Sequence, residues 1–587
     1  MTRSKARRAG RRATLKARRI TRDFRAPIVF DGSVSPLKTV LFVVICLAWV
    51  LPGLIGHDPW KPDEPVQFGI VLSMLQGASN AWLVPTLAGL PYVEHPPFYF
   101  WVAAFFANLC ESFLPLHDGA RLASAFFVSL TMGFLAATAV RLQNERAARI
   151  CVLLLIASLG FLLRAHELSP ALGAMTGMAI ALYGMTWIAS DAKRAGIITG
   201  LGGALAVLCA GALMGLMVLA VFAALAVVLR EWRNPRCRRG FGLALAITVV
   251  GVLIWPFLLV IFVPQDTLTT DVFIGAMSGF FCLLDPASQA TAALNRRFDL
   301  LYLPKTLIWY ALPAWPIAMW AWLKARRNIR DRIEHALPFV AFVVMLIFVF
   351  FTMEPRDTSP MVLLLPLCLA AAQGMDKLSR TLASFVNWFG LFVFGSITIF
   401  LWAMYTGAVT GIPRNAARRV LYEVPGLQLE VQWWAVILAL LLTVLWLAVV
   451  LRTRYSNRRA VVNWAAGVTV LWMLFNLLWL PAVDYAKSYR GVANNLKAAI
   501  TANNIDPTCI NNQDVGVAQL ASLDYFINLR LKTKAAKDVL NTGVCNHILV
   551  QGRTKNPPVN VIAAPEKIRW QGARPGDTEE RFWLMGR

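Results

Sequence analysis

The sequence predicts a polytopic α-helical membrane protein carrying a small α/β domain at its C-terminal end. Three observations predict it. The 587 residues are 58% hydrophobic, and apolar runs of about 18 residues or more recur along most of the chain. Charged residues make up only 15%, against roughly 25% in ordinary soluble domains. After Tyr485 the pattern changes to short polar and apolar alternations. The formal net charge of +25 would suggest nucleic acid in a soluble chain. Here the basic clusters fall on alternate loops, as the positive-inside rule requires, so nucleic acid is not an expected partner.

Residues 1–36 hold the densest basic cluster and are expected to stay cytoplasmic, close to anionic membrane lipid. The apolar run at 37–55 fills a whole span and lacks a clear small-residue cleavage site, so it reads as a retained anchor. Further spans fit near 121–140, 150–163, 170–190, two within 196–229, and 241–263. The rest fit near 304–323, 336–352, 361–376, 384–405, 432–451 and 460–480. The apolar run 196–229 begins and ends at basic loops, which suits a hairpin of two spans rather than one long helix.

About thirteen transmembrane helices result, and an odd count puts the two ends of the chain on opposite sides. With basic loops inside, residues 57–118, the polar loop 264–303 and the domain 485–587 all face the outside. Residues 37–484 form the membrane domain. In the tail, KSYRGVANNLKAAITANN reads as an amphipathic helix. CINNQ, VGVAQLASLDYFINLR, HILVQG, VNVIAA and RFWLMG read as strands interleaved with helices.

Seven of the nine cysteines lie in or beside apolar segments without metal spacing. Cys509 and Cys545 both sit in the polar tail. In an oxidising compartment they form the one disulfide possible within that domain. The six histidines show no zinc pattern, so no metal ligands are assigned. A divalent cation is the only cofactor left open.

The chemistry-bearing stretch is 57–101. Asp63 and Glu64 lie between Pro62 and Pro65, where a helix is expected to start, with Asp63 as its N-cap. Carboxylates beside a bilayer are costly and call for a purpose beyond capping. Glu94 and His95 precede Pro96, which holds His95 out of helical conformation. Phe98 to Trp101 form an aromatic cluster of the kind found at membrane interfaces.

This stretch resembles the first external loop of the polyprenyl-phosphate-dependent GT-C glycosyltransferases. It is most similar to the aminoarabinose transferases of lipid A and more distantly to protein O-mannosyltransferases. The matching positions are Asp63–Glu64, Trp82 with Pro85, Gly89 with Tyr92, and Glu94 to Pro97. The resemblance implies a sugar carried on undecaprenyl phosphate and an acceptor at the outer leaflet, lipid A or another lipopolysaccharide or envelope glycan. It further implies a monomeric enzyme of the bacterial inner membrane with its C-terminal domain in the periplasm.

Asp63 and Glu64 are the expected catalytic carboxylates, Asp63 as general base toward an acceptor hydroxyl. Donor and phosphate contacts are expected from Tyr92, Glu94, His95, Arg164, His166, Glu167, Arg296, Arg297 and Arg356, since a leaving phosphate wants cations nearby. The sequence departs from the family where His95 replaces a lysine. In the loop of Arg164, Glu167 is the nearest acid to an expected aspartate. Cys209 to Ala212 stands where a Lys-Gly-Pro is usual. A protein O-glycosyltransferase of the same class is the alternative, and a membrane transporter or flippase the more distant one. Transporters place ionisable residues mid-span and often show internal repeats, and neither feature is visible here.

Overall fold

The computed structural model describes residues 36–586 except 78, 93–94, 267, 282–301, 353–358, 453–455, 532–544, 554–557, 559–564 and 578. Seven helices among the described residues are long and apolar enough to cross a membrane. They are Leu116–Leu142, Ala192–Ala210, Pro235–Phe262, Ile333–Phe350, Arg380–Thr410, Trp433–Arg452 and Arg459–Ala502, the last breaking at Ser488 so that Arg490–Ala502 is a separate helix. Shorter apolar helices, including Phe98–Cys110, Pro170–Met185 and Ala212–Val228, pack among them.

Helix starts fall where side chains can satisfy free backbone N–H groups. Asn144 Oδ1 accepts from Ala147 N at 2.9 Å, Asp191 Oδ1 from Lys193 N at 3.0 Å, and Asn234 Oδ1 from Cys237 N at 2.8 Å. The run 196–229 is broken at Gly211, whose φ of +94° suits a residue without Cβ. Helices Ala192–Ala210 and Ala212–Val228 lie on either side. A Cβ added to Gly177 would lie 2.5 Å from the carbonyl oxygen of Gly202. The backbones of helices Pro170–Met185 and Ala192–Ala210 therefore touch, as small residues allow inside a bilayer.

Several expected spans are interrupted. The 150–163 run divides at Ser158 into Glu145–Ala157 and Leu159–Arg164, with Ser158 Oγ donating back to Leu154 O at 2.9 Å. The 304–323 run divides into Tyr302–Tyr310 and Ala314–Ala325 around Pro313, which cannot donate a helical hydrogen bond. The 264–303 segment is not wholly loop, because Thr270–Phe281 is helical and buries Phe280 against Trp255. A helix at Arg414–Glu423, three of whose residues are arginines, links two long spans.

The C-terminal domain carries a four-stranded sheet of β3 (Ile510–Gln513), β4 (His547–Arg553), β5 (Ile568–Gly572) and β6 (Glu580–Gly586) in the order β3-β4-β6-β5. β3 runs parallel to β4, and the other pairs are antiparallel. Leu549 and Leu584 meet Leu496, Ile500 and Leu523 from helices Arg490–Ala502 and Val517–Ile527 in one apolar core. Cys509 and Cys545 are disulfide-bonded. The VNVIAA stretch lies outside the described residues.

Helix Glu64–Gln76 joins the two parts. Gly69 is pinched between Leu87 and Ala521, whose Cβ would be 3.0 Å from an added Cβ. Only a glycine admits so close an approach of the C-terminal domain.

Candidate active site

Helix Glu64–Gln76 begins where its first two acids must part. Neighbouring helical positions lie about 100° apart, so both cannot face one way. Glu64 turns inward and is 2% exposed. Arg121 Nε donates to its Oε1 at 2.6 Å, Arg121 Nη2 donates to its Oε2 at 3.3 Å, and Trp60 N–H donates to Oε2 at 3.1 Å. Arg121 Nη1 also donates to Asp118 Oδ1 at 2.7 Å and to the His57 carbonyl at 2.8 Å. Burial alone would raise the Glu64 carboxyl, but Arg121, His57 and the Trp60 N–H outweigh it and hold the group below the usual carboxylate range.

Asp63 turns outward, with 46% of its side chain exposed. It forms no side-chain cap; its carbonyl instead accepts from Val66 N and Gln67 N, both at 3.1 Å. The expected capping role is therefore taken by the backbone, and the carboxylate is left facing Arg164, with Nη1 4.0 Å away. The same Arg164 Nη1 lies 2.7 Å from Glu167 Oε2. Two acids thus share one guanidinium.

The loop that presents this pair is fixed by its backbone. Ser124 Oγ donates to the Glu167 carbonyl at 2.8 Å, and Ser169 N donates to Tyr99 OH at 3.0 Å. Tyr99 OH and Ser124 Oγ are themselves 2.8 Å apart. Burial, with the nearby Glu64 and Asp63 charges, pushes the Glu167 carboxyl up to about 7 against the pull of Arg164. Glu167 is therefore poised to change charge near neutral pH, as site residues often are.

His166 does not join them. Its Nδ1 lies 2.6 Å from Leu162 O and its Nε2 2.8 Å from Trp49 O, with Trp49 and Trp472 against its ring. It is 3% exposed, and burial pushes it down to about 4. The expectation that it faces a phosphate is corrected: the ring is buried and neutral, and its single N–H donates to one of the two backbone carbonyls beside it.

The Trp82–Pro85 and Gly89–Tyr92 positions build a hairpin. β1 (Thr86–Leu87) pairs with β2 (Leu90–Pro91) through Ala88 and Gly89. Both have positive φ, as a two-residue hairpin turn requires. Tyr92 N closes the base by donating to Pro85 O at 2.8 Å. Trp101 Nε1 donates to Trp82 O at 2.6 Å, and Trp255 Nε1 donates to Leu83 O at 3.0 Å. Tyr92 and His95 are partly exposed at this rim. Glu94, Arg296, Arg297 and Arg356 lie outside the described residues.

Sequence reading missed the residues that hold the site from behind: His57, Asp58, His117, Asp118, Arg121 and Asp484. Asp58 accepts from Ser488 Oγ at 2.6 Å and Arg490 Nε at 2.9 Å. Burial would raise its carboxyl, but these bonds keep it below its ordinary range. A signal for the missed group was present, because His117, Asp118 and Arg121 open an otherwise apolar helix. An arginine there needs an inward partner.

Residues 94–258 match the family model described as dolichyl-phosphate-mannose-protein mannosyltransferase. Over 107 residues the chain is 34% identical to undecaprenyl phosphate-alpha-4-amino-4-deoxy-L-arabinose arabinosyl transferase 2 of Sodalis glossinidius (strain morsitans). The aligned stretch is 18% of this chain and 18% of that relative's length. Two crystal structures of ArnT from Cupriavidus metallidurans match nearly the whole chain at 18% identity. The one bound to undecaprenyl phosphate superposes with a TM-score of 0.67, covering 94% of this chain and 98% of ArnT. The apo structure gives 0.64 over 93% and 97%. The chain has the ArnT fold.

Proposed function

We propose that the protein is a membrane glycosyltransferase that moves a sugar from an undecaprenyl-phosphate donor to lipid A or another envelope glycan at the periplasmic face. The observation carrying this reading is the match along nearly the whole chain to a transferase whose structure holds undecaprenyl phosphate. The paired acids around Arg164 give the reading its chemistry. In this orientation the N-terminus is cytoplasmic and residues 485–587 are periplasmic.

Transfer breaks the bond between the sugar's anomeric carbon and the phosphate oxygen, and the electron pair leaves with the phosphate. Arg164 is the described cation placed to meet that charge. Arg296, Arg297, Arg356 and His95 are further candidates. An acceptor hydroxyl gives its proton to Asp63 as the new bond forms. An acceptor phosphate carries no such proton at neutral pH, and Asp63 then orients the sugar. Glu64 holds the helix start through Arg121 rather than facing solvent. Glu167 competes with donor phosphate for Arg164.

A protein acceptor is the second reading, supported by the match of residues 94–258 to the protein mannosyltransferase family model. The test is transfer from undecaprenyl-phosphate-linked sugars to lipid A, core lipopolysaccharide or envelope protein, read by mass spectrometry in membranes with and without the protein. Asp63→Asn is expected to cut transfer to a hydroxyl acceptor by about 100-fold or more, with stability within about 0.5 kcal/mol of the parent because the side chain is half exposed. Full activity in Asp63→Asn removes Asp63 as base. Unchanged lipid and protein profiles on deletion remove the transferase reading itself.

A further inference from the structure

The Asp63 side chain is not held by a cap hydrogen bond, and among the described residues its nearest cation, Arg164, is 4.0 Å away. Its position is therefore set by the backbone on either side. Behind it, Glu64 is locked to Arg121. In front stands Asp58-Pro59-Trp60-Lys61, and three of these four residues are bonded to the end of the last long helix or to the C-terminal domain. Asp58 pairs with Ser488 and Arg490. Asp484 Oδ1 accepts from both Trp60 Nε1 and Asp58 N at 2.8 Å. Lys61 Nζ donates to Glu580 Oε2 at 3.0 Å, on the first residue of β6, and lies 3.8 Å from Asp577.

Glu580 is built to hold that lysine. It is 8% exposed, and Tyr489 OH donates to its Oε2 at 2.8 Å. Gln551 Nε2 donates to Oε1 at 2.7 Å, and Gln519 Nε2 donates to the same oxygen. Arg574 Nη2 stands 3.4 Å from Oε2. A carboxylate with this many donors is fixed in place. Lys61 therefore reaches a rigid point in the C-terminal sheet, and only Pro62 separates it from Asp63.

We infer that Lys61 and Glu580 are positioning residues, through which the C-terminal domain holds Asp63 at the working distance from Arg164 and the sugar. This rests on the transferase reading above. Displacement of a reacting group by about 1 Å can cost up to 100-fold in rate, and an exposed carboxylate without a side-chain anchor is prone to such drift.

The experiment compares the full-length protein with Lys61→Met and Lys61→Arg. Lys61→Met leaves Glu580 paired with Arg574 and its neutral donors, so the domain keeps its fold. The expected result is a kcat lowered by about tenfold or more with donor KM changed less than about twofold. Lys61→Arg, which keeps the cation, recovers most of the rate. A merely structural role would lower the folded yield and leave kcat per folded molecule alone. Hydrogen–deuterium exchange over residues 59–68 is measured alongside and needs no activity. Faster exchange in Lys61→Met supports the tie, and exchange equal to the parent overturns it. Faster exchange with unchanged kcat overturns the positioning role. If the parent protein transfers no sugar from any polyprenyl-phosphate donor, the transferase reading fails and the exchange result alone judges the tie.

Discussion

Replacing Arg121 by Met tests how the site is supported. The guanidinium makes two bonds to Glu64, one to Asp118 and one to the His57 carbonyl, and the residue is fully buried. Methionine fills similar volume without supplying a donor. Glu64 is left with the Trp60 N–H, and Asp118 with the Gly56 N–H at 3.0 Å and His117. Removing one partner of a buried ion pair costs about 3–5 kcal/mol. An independent bound comes from protonation: at pH 7 an acid of ordinary pKa about 4.3 takes up a proton at a cost of about 3.7 kcal/mol. The two estimates agree, so the expected loss is about 3–4 kcal/mol at pH 7.

The sign with pH follows from the same residue. In the parent, the Glu64 carboxyl sits below its ordinary range, so its contribution is present above the unfolded-state pKa and is lost only as pH falls through the lower folded value. In the variant, burial dominates and the carboxyl is raised. The protonation cost falls to about 1 kcal/mol at pH 5. The deficit against the parent should therefore shrink by about 2–3 kcal/mol between pH 7 and pH 5. Denaturant unfolding of both proteins in detergent micelles measures it. A deficit that stays flat with pH, or no deficit, would refute the claim that Arg121 neutralises a buried Glu64 carboxylate.

Glu167→Gln should flatten the pH dependence of stability. Its carboxyl is raised to about 7, so the unfolded chain releases that proton first as pH rises. The contribution is complete below about pH 4 and lost by about pH 7, and thermal unfolding of parent and variant across that window checks it. Reducing the Cys509–Cys545 bond, which spans 36 residues, should destabilise the C-terminal domain by about 3–4 kcal/mol on the chain-entropy account. Hydrogen exchange in β3 and β4, measured with and without reductant, reads that loss.

The membrane class, the α/β tail and the placing of Asp63 on a helix start were legible because they rest on local pattern. Apolar run length, alternation in HILVQG and RFWLMG, and prolines flanking two acids act over a few residues. The division of the 150–163 and 304–323 runs was less legible, since hydropathy alone cannot tell one helix from two that pack end to end. Arg164 and Glu167 were readable as polar residues between spans. Their convergence on Asp63, about a hundred positions away in sequence, was not. The same holds for Lys61 with Glu580, whose pairing depends on where the last long helix delivers the C-terminal sheet. His166 shows the opposite error. A histidine in a polar loop reads as a free cation, yet here its ring is neutral, lies between two tryptophans and donates its one N–H to a backbone carbonyl.

Asp63 and Glu64 have opposite fates for a reason that helix geometry supplies. An acid pair at a helix start can place one member against the protein and the other against the pocket. The inward member does no chemistry if its charge is spent on a buried arginine, but it fixes the axis and rotation of the helix. The outward member then keeps its carboxylate half exposed and 4.0 Å from Arg164 without a flexible tether, because its backbone is held one residue later by Glu64 and two residues earlier by Lys61. Exchanging the two acids for their amides should consequently fail in different ways. Glu64→Gln loses the ion pair with Arg121 and should lower stability with partial activity per folded molecule, whereas Asp63→Asn keeps the fold and loses the carboxylate. If both amides instead lowered stability equally and left turnover per folded molecule intact, the pair would be two halves of one structural cap and the catalytic reading of Asp63 would fall.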